Sequence, residues 1–442
     1  MSAFNEWIRL GVIYPLAEKI KGTNSMEWYH RIQKMHTWSR EEIRVWQEAQ
    51  LHKIVRQAYE HTVYWRRVFD ERGLKPENIQ TMEDLKKLPV LTKADIRAHY
   101  EEMVPNNASD FRHRKAQTGG TTGEPMRYLV DENVWGYLSA EKIIAWRTTG
   151  YRFGDPFMAL GSASIFKQNA PFVRRVLDKI RNVRPYNSLK MDGDICRQYI
   201  EILEQQHIHY IYGYASAIYL LAKYAVDHHI DMSHMRGAFT TSENLTDVYR
   251  ETIERAFGCR VMDCYGARDA AITAHEVTPG EYDLGYSAYV ELADEFEPNK
   301  GTLLSTNLLS MAFPVLRYDF GDIVEIKNEG EYNGQVLKKI YGRTSDVLRV
   351  DNGHVLTSPG FTILMKNFDV VAYDIQKLSG TEVKMQVQAA DGWTKAQEKK
   401  LSDEMQRYIG EGCKFSIEYV DGFRELKNGK RRYFMNDLSR QE

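Results

Sequence analysis

Cysteine is scarce in this sequence: its 442 residues hold four, Cys196, Cys259, Cys264 and Cys413, with no C-x-x-C pair among them. Such spacing argues against a zinc ribbon and against a disulfide-stapled scaffold, and it fits a reduced cytoplasmic compartment. A surplus of basic charge is missing as well. Lys and Arg number 59 against 61 Asp and Glu, a formal charge of −2, so no broad positive field invites nucleic acid. The short basic runs Arg112–Lys115 and Lys430–Arg432 read as solvated surface. Long apolar runs are absent, and no transmembrane segment is expected. The most apolar N-terminal stretch, Trp7–Ala17, is interrupted by Arg9, is too short to span a bilayer and lacks the marks of a signal peptide. It reads as an amphipathic helix laid on the protein body, or on a membrane surface or partner. Internal repeats and low-complexity tracts are missing too.

What is present is an ordinary globular composition, 43% hydrophobic and 27% charged, over a length that suggests two or three domains. The first hundred residues have helical spacing. Ile43, Trp46, Ala49, Ile54 and Ala58 mark one helix over Arg40–His61, with Ser39 as its N-cap. Thr92, after Pro89, is placed to cap a second helix starting at Ala94. From about residue 115 strands and helices alternate, which predicts sheets covered by helices. The predicted strands there are Tyr128–Val130, Phe157–Ala163, His209–Tyr212 and Arg260–Cys264; the helices are Val134–Thr148, Ile195–Gln206 and Leu245–Phe257. After Gly301 short β segments follow: Thr302–Asn307, Pro314–Tyr318, Ile323–Lys327 and Gln335–Tyr341. The polar stretch Gly342–Asn352 predicts a hinge. A compact strand–strand–helix–strand tail lies beyond it, over Val370–Leu378, Glu382–Ala389, Lys395–Ile409 and Lys414–Val420. The expected fold is thus α/β, with a large unit over residues 1–345 and a small α+β unit over residues 346–442.

The sharpest local signal is Thr118-Gly119-Gly120-Thr121-Thr122-Gly123-Glu124-Pro125. Glycines let a backbone turn bring its N–H groups close to a ligand, and threonine hydroxyls add donors that suit a polyphosphate. It is not a Walker A loop, since no Gly-Lys-Ser/Thr follows, and a plain turn before the Tyr128 strand is the competing reading. Tyr265-Gly266-Ala267-Arg268-Asp269 follows a predicted strand, where α/β sheets place ligands. Its ring can stack on a purine and its carboxylate can hold Mg2+ directly or through water. Arg317-Tyr318-Asp319-Phe320-Gly321-Asp322 reads as a turn with two acids, one able to hydrogen-bond ribose hydroxyls. Gly342-Arg343-Thr344-Ser345-Asp346 offers an Arg for phosphate or ribose, and Asn428-Gly429-Lys430 sets a lysine on a turn near the C-terminus. Each is weak alone, because Tyr-Gly turns and basic loops are common.

In their order along the chain these segments resemble the acyl-adenylate-forming superfamily, and most of all its phenylacetate–CoA ligase and CapK-like branch. The family loop T-S-G-T-T-G-x-P-K is matched from Thr118 to Pro125 except for Gly119, with Met126 at the closing lysine. The family segment Y-G-x-x-E is matched by Tyr265–Asp269, with Asp for Glu. The resemblance implies β/γ-phosphate binding by Thr118, Gly119, Gly120, Thr121, Thr122 and Gly123, and Mg2+ at Asp269. It implies an adenine and ribose site made by Ser242, Glu243, Asn244, Tyr265, Gly266, Asp322 and Arg343. Asp346 would be the hinge, and Lys430, on a mobile small domain, the catalytic lysine assisted by Thr122. A β-barrel-like subdomain would complete the large unit.

The implied reaction joins a carboxylic acid to ATP as an acyl-adenylate and passes the acyl group to a separate acceptor, coenzyme A foremost. Transfer to an amine or sugar, and a degenerate protein that only binds nucleotide, are the other classes left open. Tyr212, Gly213, Tyr214 and Ala267 are candidates for the acid pocket, as is the strand end Gly161–Phe166. His275 and Glu276 are placed to face the site, or to be structural. His207, His209, His228 and His229 show no metal-ligand spacing. The acid and a homodimer are the expected partners.

Overall fold

The computed structural model describes residues 3–117, 126–161, 172–188, 191–243, 245–328, 330, 334–343, 347–349, 355–357, 368–390, 392–410, 412–421 and 434–435. Its N-terminal helical turns, Ala3–Ile8, Arg9–Ile13 and Tyr14–Lys21, lie on the body. Polar groups do much of the docking. Glu6 accepts from the Phe153 N–H at 3.0 Å and from the Arg147 guanidinium, and Glu18 accepts from the Ser25 and Met26 N–H groups. Tyr14 packs edge-on against Phe153, whereas Trp7, Leu16 and Ile20 face solvent. Among the described residues no helix is long and apolar enough to cross a membrane.

The helix Arg40–His61 forms as its sequence predicts. Ser39 and Glu42 close a reciprocal capping box, and Ile43, Leu51, Ile54, Val55 and Ala58 are buried along it. Thr62 caps the next helix, Val63–Asp70, whose Trp65 is fully buried and donates through its indole N–H to the Pro314 carbonyl at 3.1 Å. That bond ties the helical start to the distant β-rich half. A second tie is strand β1 (Leu91–Thr92), which pairs in parallel with residues Tyr318 and Asp319. Thr92 caps the helix Lys93–Ala98 in another capping box, with Asp95, one residue earlier than expected.

Strands β2 (His113–Gln117) and β3 (Arg127–Asp131) form a separate antiparallel pair. The parallel core follows: β4 (Phe157–Gly161), β5 (Val183–Asn187), β6 (Tyr210–Tyr214), β7 (Gly237–Thr241) and β8 (Val261–Ala267), hydrogen-bonded in the order β5-β4-β6-β7-β8. Helices Glu132–Arg147, Gly193–Gln205, Ala215–Asp227 and Asp247–Phe257 cover it. Gly258 takes the left-handed conformation at the end of the last of these, as its position predicts. All five residues of β4 are buried, as expected of a strand covered on both faces.

Beyond β8 the same sheet turns antiparallel through β9 (Ile272–Thr278), β10 (Glu281–Asp283), β11 (Ala288–Glu297), β12 (Lys300–Asn307), β13 (Tyr318–Lys327) and β14 (Val336–Arg343). Two expectations are corrected here. The Asp319–Asp322 segment is not a turn but part of one long strand, bent where Gly321 has φ +90°. The Tyr265–Ala267 segment does not follow β8 but is its last turn of pleat.

Strands β15 (Val347–Arg349) and β16 (Val355–Thr357) pair antiparallel as a small two-stranded sheet. The C-terminal unit has its own four-stranded sheet, ordered β19-β18-β17-β20 from β17 (Val370–Ser379), β18 (Glu382–Ala389), β19 (Lys414–Tyr419) and β20 (Phe434–Met435). On β18, Val383, Met385 and Val387 point inward with period two and meet Leu401, Met405 and Ile409 of the helix Lys395–Ile409.

Candidate active site

Register brings the separated motifs to one edge. Tyr214, the last residue of β6, pairs with Thr241 at the end of β7, and Thr241 pairs with Cys264 on β8. The segments Gly213–Tyr214, Ser242–Glu243 and Tyr265–Asp269 therefore emerge together at the C-terminal ends of parallel strands. That is the usual ligand edge of such a sheet.

Two tyrosine–aspartate bonds join this edge to β13. The Tyr265 hydroxyl donates to Oδ2 of the buried Asp322 at 2.5 Å, and Asp322 stands in register with Arg343 on β14. The Tyr318 hydroxyl donates to Oδ2 of Asp269 at 2.9 Å and lies 3.5 Å from the Met126 sulfur. A hydroxyl has one proton to give, and the carboxylate is the stronger acceptor. Met126 is fully buried immediately before β3. At the family's closing-lysine position this chain thus has a core side chain rather than a phosphate contact. Asp269 sits half-buried on the turn Arg268–Ala270. Among the described residues no three His, Cys, Asp or Glu side chains gather as a metal site. One carboxylate with a free oxygen suits Mg2+ that draws its remaining ligands from water and phosphate.

Other assigned residues have additional duties. Ser242 adopts a left-handed backbone (φ +66°) and is exposed, while the Glu243 carboxylate is committed to the Ser216 N–H at 2.8 Å, at the start of the helix Ala215–Asp227. Gly266 is exposed. Thr118, Gly119, Gly120, Thr121, Thr122, Gly123, Asn244, Asp346 and Lys430 lie outside the described residues, as do Phe166 and the strand end beyond Gly161.

The four acid-pocket candidates do not share one face. Tyr212 packs beside Trp146 and Phe239, Tyr214 against the cluster on the opposite side of the sheet, and Ala267 against the N-terminal core. Gly213 has a packing role, since a Cβ there would lie 2.2 Å from the Leu160 carbonyl oxygen on the neighbouring strand. Sequence reasoning missed Lys142. Its ammonium lies over the Tyr212 ring, 4.5 Å from the centroid, and 3.3 Å from the Tyr212 hydroxyl. The available signal was a lysine one helical turn before Trp146 in an apolar stretch.

His275 and Glu276 are core residues rather than site residues. His275 is buried with Nδ1 3.3 Å from the Cys264 sulfur. Burial, reinforced by the Lys142 ammonium, pushes its pKa down to about 3, and burial pushes the Cys264 thiol up to about 12. Neither group changes charge near neutrality, so neither is an acid–base catalyst there. Glu276 is fully buried and pairs with Arg250 at 2.6 Å. Beneath the site Asp263 accepts from the Thr240 hydroxyl at 2.5 Å and from the Tyr282 hydroxyl at 2.8 Å.

No family model matches the chain. Protein CapK of Staphylococcus aureus is 25% identical over 388 residues, covering 85% of this chain and 85% of CapK. Phenylacetate-coenzyme A ligase of Escherichia coli strain K12 is 25% identical over 366 residues, covering 74% of this chain and 77% of the ligase. Among solved structures, 2-hydroxyisobutyryl-CoA ligase in the postadenylation state matches with a TM-score of 0.68 at 18% identity, over 92% of each chain. Amide bond synthetase McbA from Marinactinospora thermotolerans matches with a TM-score of 0.50 at 17% identity, over 71% of this chain and 66% of McbA. The chain is a homologue of CapK and the phenylacetate-coenzyme A ligases and has the fold of the acyl-adenylate-forming ligases.

Proposed function

We propose that this chain is an AMP-forming ligase that activates a carboxylic acid with ATP and passes the acyl group to coenzyme A. The observation that carries the reading is the Tyr265–Asp322 hydrogen bond with Arg343 in register opposite Asp322. It sets an aromatic ring, an acid for ribose hydroxyls and an arginine position at one sheet edge, beside the Asp269 carboxylate.

In the first step a carboxylate oxygen of the acid bonds to the α-phosphorus of ATP, and the bond from that phosphorus to the pyrophosphate oxygen breaks. Both reactants are anionic, so the protein contributes positioning and charge neutralisation. Asp322 holds the ribose hydroxyls, Tyr265 flanks the adenine, and Asp269, kept in place by Tyr318, positions Mg2+. Lys430 neutralises charge at the α-phosphate, and Thr118–Gly123 receive the departing pyrophosphate. In the second step the thiol loses its proton, its sulfur bonds to the acyl carbon, and AMP leaves. Residues 1–345 and 346–442 act as the two domains, with Asp346 as the hinge between half-reactions. Lys142 and Tyr212 form the polar element on the acid side of the site. The compartment is the reduced cytoplasm, in keeping with four free cysteines.

Exchange of labelled pyrophosphate into ATP, run over a panel of carboxylic acids, tests the first step. Exchange with at least one acid is expected, and Lys430→Ala abolishes it while sparing thioester formation from supplied acyl-adenylate. Equal loss of both half-reactions in that variant removes the role given to Lys430. ATP binding without exchange for any acid leaves a nucleotide-binding protein instead, and exchange without CoA consumption points to an amine or sugar acceptor.

A further inference from the structure

The basic run Arg112–Lys115 has a place in the fold that a solvated surface stretch would not need. It forms the start of β2 and borders a cleft of about 240 Å³, whose other wall is the start of the helix Glu132–Arg147 together with Arg268. Trp135 is the aromatic centre of this cleft. The Arg114 and Arg268 guanidinium carbons lie 5.6 and 5.1 Å from its ring centroid. The Arg112 guanidinium presses against Gly22, so closely that a Cβ on that glycine would overlap it.

The charges in the cleft are unbalanced. Arg112, Arg114, Lys115 and Arg268 are exposed, and none forms an ion pair with a described carboxylate. Two acids line the same cleft. Asp131 is buried and occupied by the N–H groups of Asn133, Met311 and Ala312, which leaves Glu132 as the only other lining carboxylate among the described residues. Planar guanidinium groups held by an aromatic ring rather than by acids are pre-positioned for bidentate contact with an anion such as phosphate. The volume exceeds what a lone phosphate needs and leaves room for a ring system as well.

The cleft also adjoins the candidate nucleotide site. Arg268 adjoins Asp269 in the turn described above. The cleft runs along β2 from Arg112 to Ala116 and reaches Arg268, the neighbour of that carboxylate. We propose that this cleft binds the nucleoside diphosphate of the acyl acceptor, whose reactive end extends from there toward the acyl-adenylate. The acceptor role rests on the adenylation reading; the binding of a nucleoside diphosphate in the cleft does not. Two kinds of acceptor share that chemistry, a thiol carried on 3′-phospho-ADP and a sugar carried on a nucleoside diphosphate.

Titration calorimetry on the full chain tests it, with the ATP site first saturated by a non-hydrolysable ATP analogue. The probes are 3′-phospho-ADP and UDP. One of them is expected to bind with one-to-one stoichiometry and to weaken with salt. Arg112→Ala combined with Arg114→Ala is expected to weaken it at least tenfold, while pyrophosphate exchange and the unfolding midpoint stay at wild-type values. Arg114→Gln alone is the gentler variant, expected to weaken it about threefold. Preference for 3′-phospho-ADP supports the cleft with a thiol acceptor, and preference for UDP supports it with a sugar acceptor. Binding of neither probe, or equal binding by wild type and variants, overturns the assignment. If no acid supports exchange yet the arginine-dependent binding persists, the cleft stands and the adenylation reading is what fails.

Discussion

Tyr265 and Asp322 are 57 positions apart in sequence and share one hydrogen bond. Removing the hydroxyl takes one hydrogen bond away from a buried carboxylate, which costs about 1–3 kcal/mol. Tyr265→Phe is therefore expected to lower the unfolding free energy by that amount and to raise the KM for ATP in pyrophosphate exchange. Unchanged stability and unchanged KM together would separate the pair from the nucleotide site. Met126 gives a sharper contrast at the same scale. Restoring the family's lysine there, Met126→Lys, puts an ammonium in a fully buried position beside Tyr318. Burial opposes the charge, so the variant is expected to lose stability, about 3 kcal/mol or more, rather than gain ATP affinity. Urea unfolding and an ATP titration read the two effects separately.

Elements were legible where local rules decide them. Ser39 with Glu42 and Thr92 with Asp95 announce helix starts through side chains that cap their own backbone, with no help from the rest of the fold. The strand β18 and the helix Lys395–Ile409 have the bounds their periodicity gives. The β13 segment was misread because Asp319 and Gly321 look like turn residues. In the sheet they form a bend that pairing with β12 and β14 supports, and pairing is not a local property. Gly213 is a related case. It reads as a pocket glycine in sequence, yet its want of a side chain is what lets β6 and β4 approach. Gly213→Ala is expected to destabilise the fold by about 2 kcal/mol or more through overpacking against Leu160, seen as a lower thermal midpoint. A variant as stable as wild type would return Gly213 to the pocket list.

At the scale of the whole molecule, buried polar groups join the helical start, the parallel core and the antiparallel half. Glu141 is the one with a pH signature. It accepts from the Tyr137 hydroxyl at 2.6 Å, and the same Tyr137 oxygen accepts from the Tyr286 N–H at 2.6 Å. Burial, reinforced by Asp283, pushes the Glu141 pKa from its ordinary 4.5 up to about 8. A carboxyl whose folded pKa is raised favours the folded state fully below about 4.5. That contribution declines as pH climbs through about 8. Glu141→Gln, neutral at every pH and still an acceptor for Tyr137, is expected to match wild type near the bottom of this window. Above its top the variant should unfold a few degrees higher. Thermal unfolding across the pH range checks it, and parallel curves for the two proteins would rule out a titrating Glu141.

By itself the sequence determined the class of element at most positions, the ordered motifs from Thr118 to Lys430, and through them the family resemblance. Caps, periodicity and glycine-rich turns are local, so a linear reading captures them. Tertiary structure alone decided which motif residues meet. Strand register brought Tyr265 to Asp322 and set Arg343 opposite it, while burial withdrew His275, Glu276 and Met126 into the core. Helix packing brought Lys142 to Tyr212, and the cleft gave the Arg112–Lys115 run a wall to face. Those outcomes depend on pairing and desolvation between segments remote in the chain. Neither leaves a mark on the local pattern of residues.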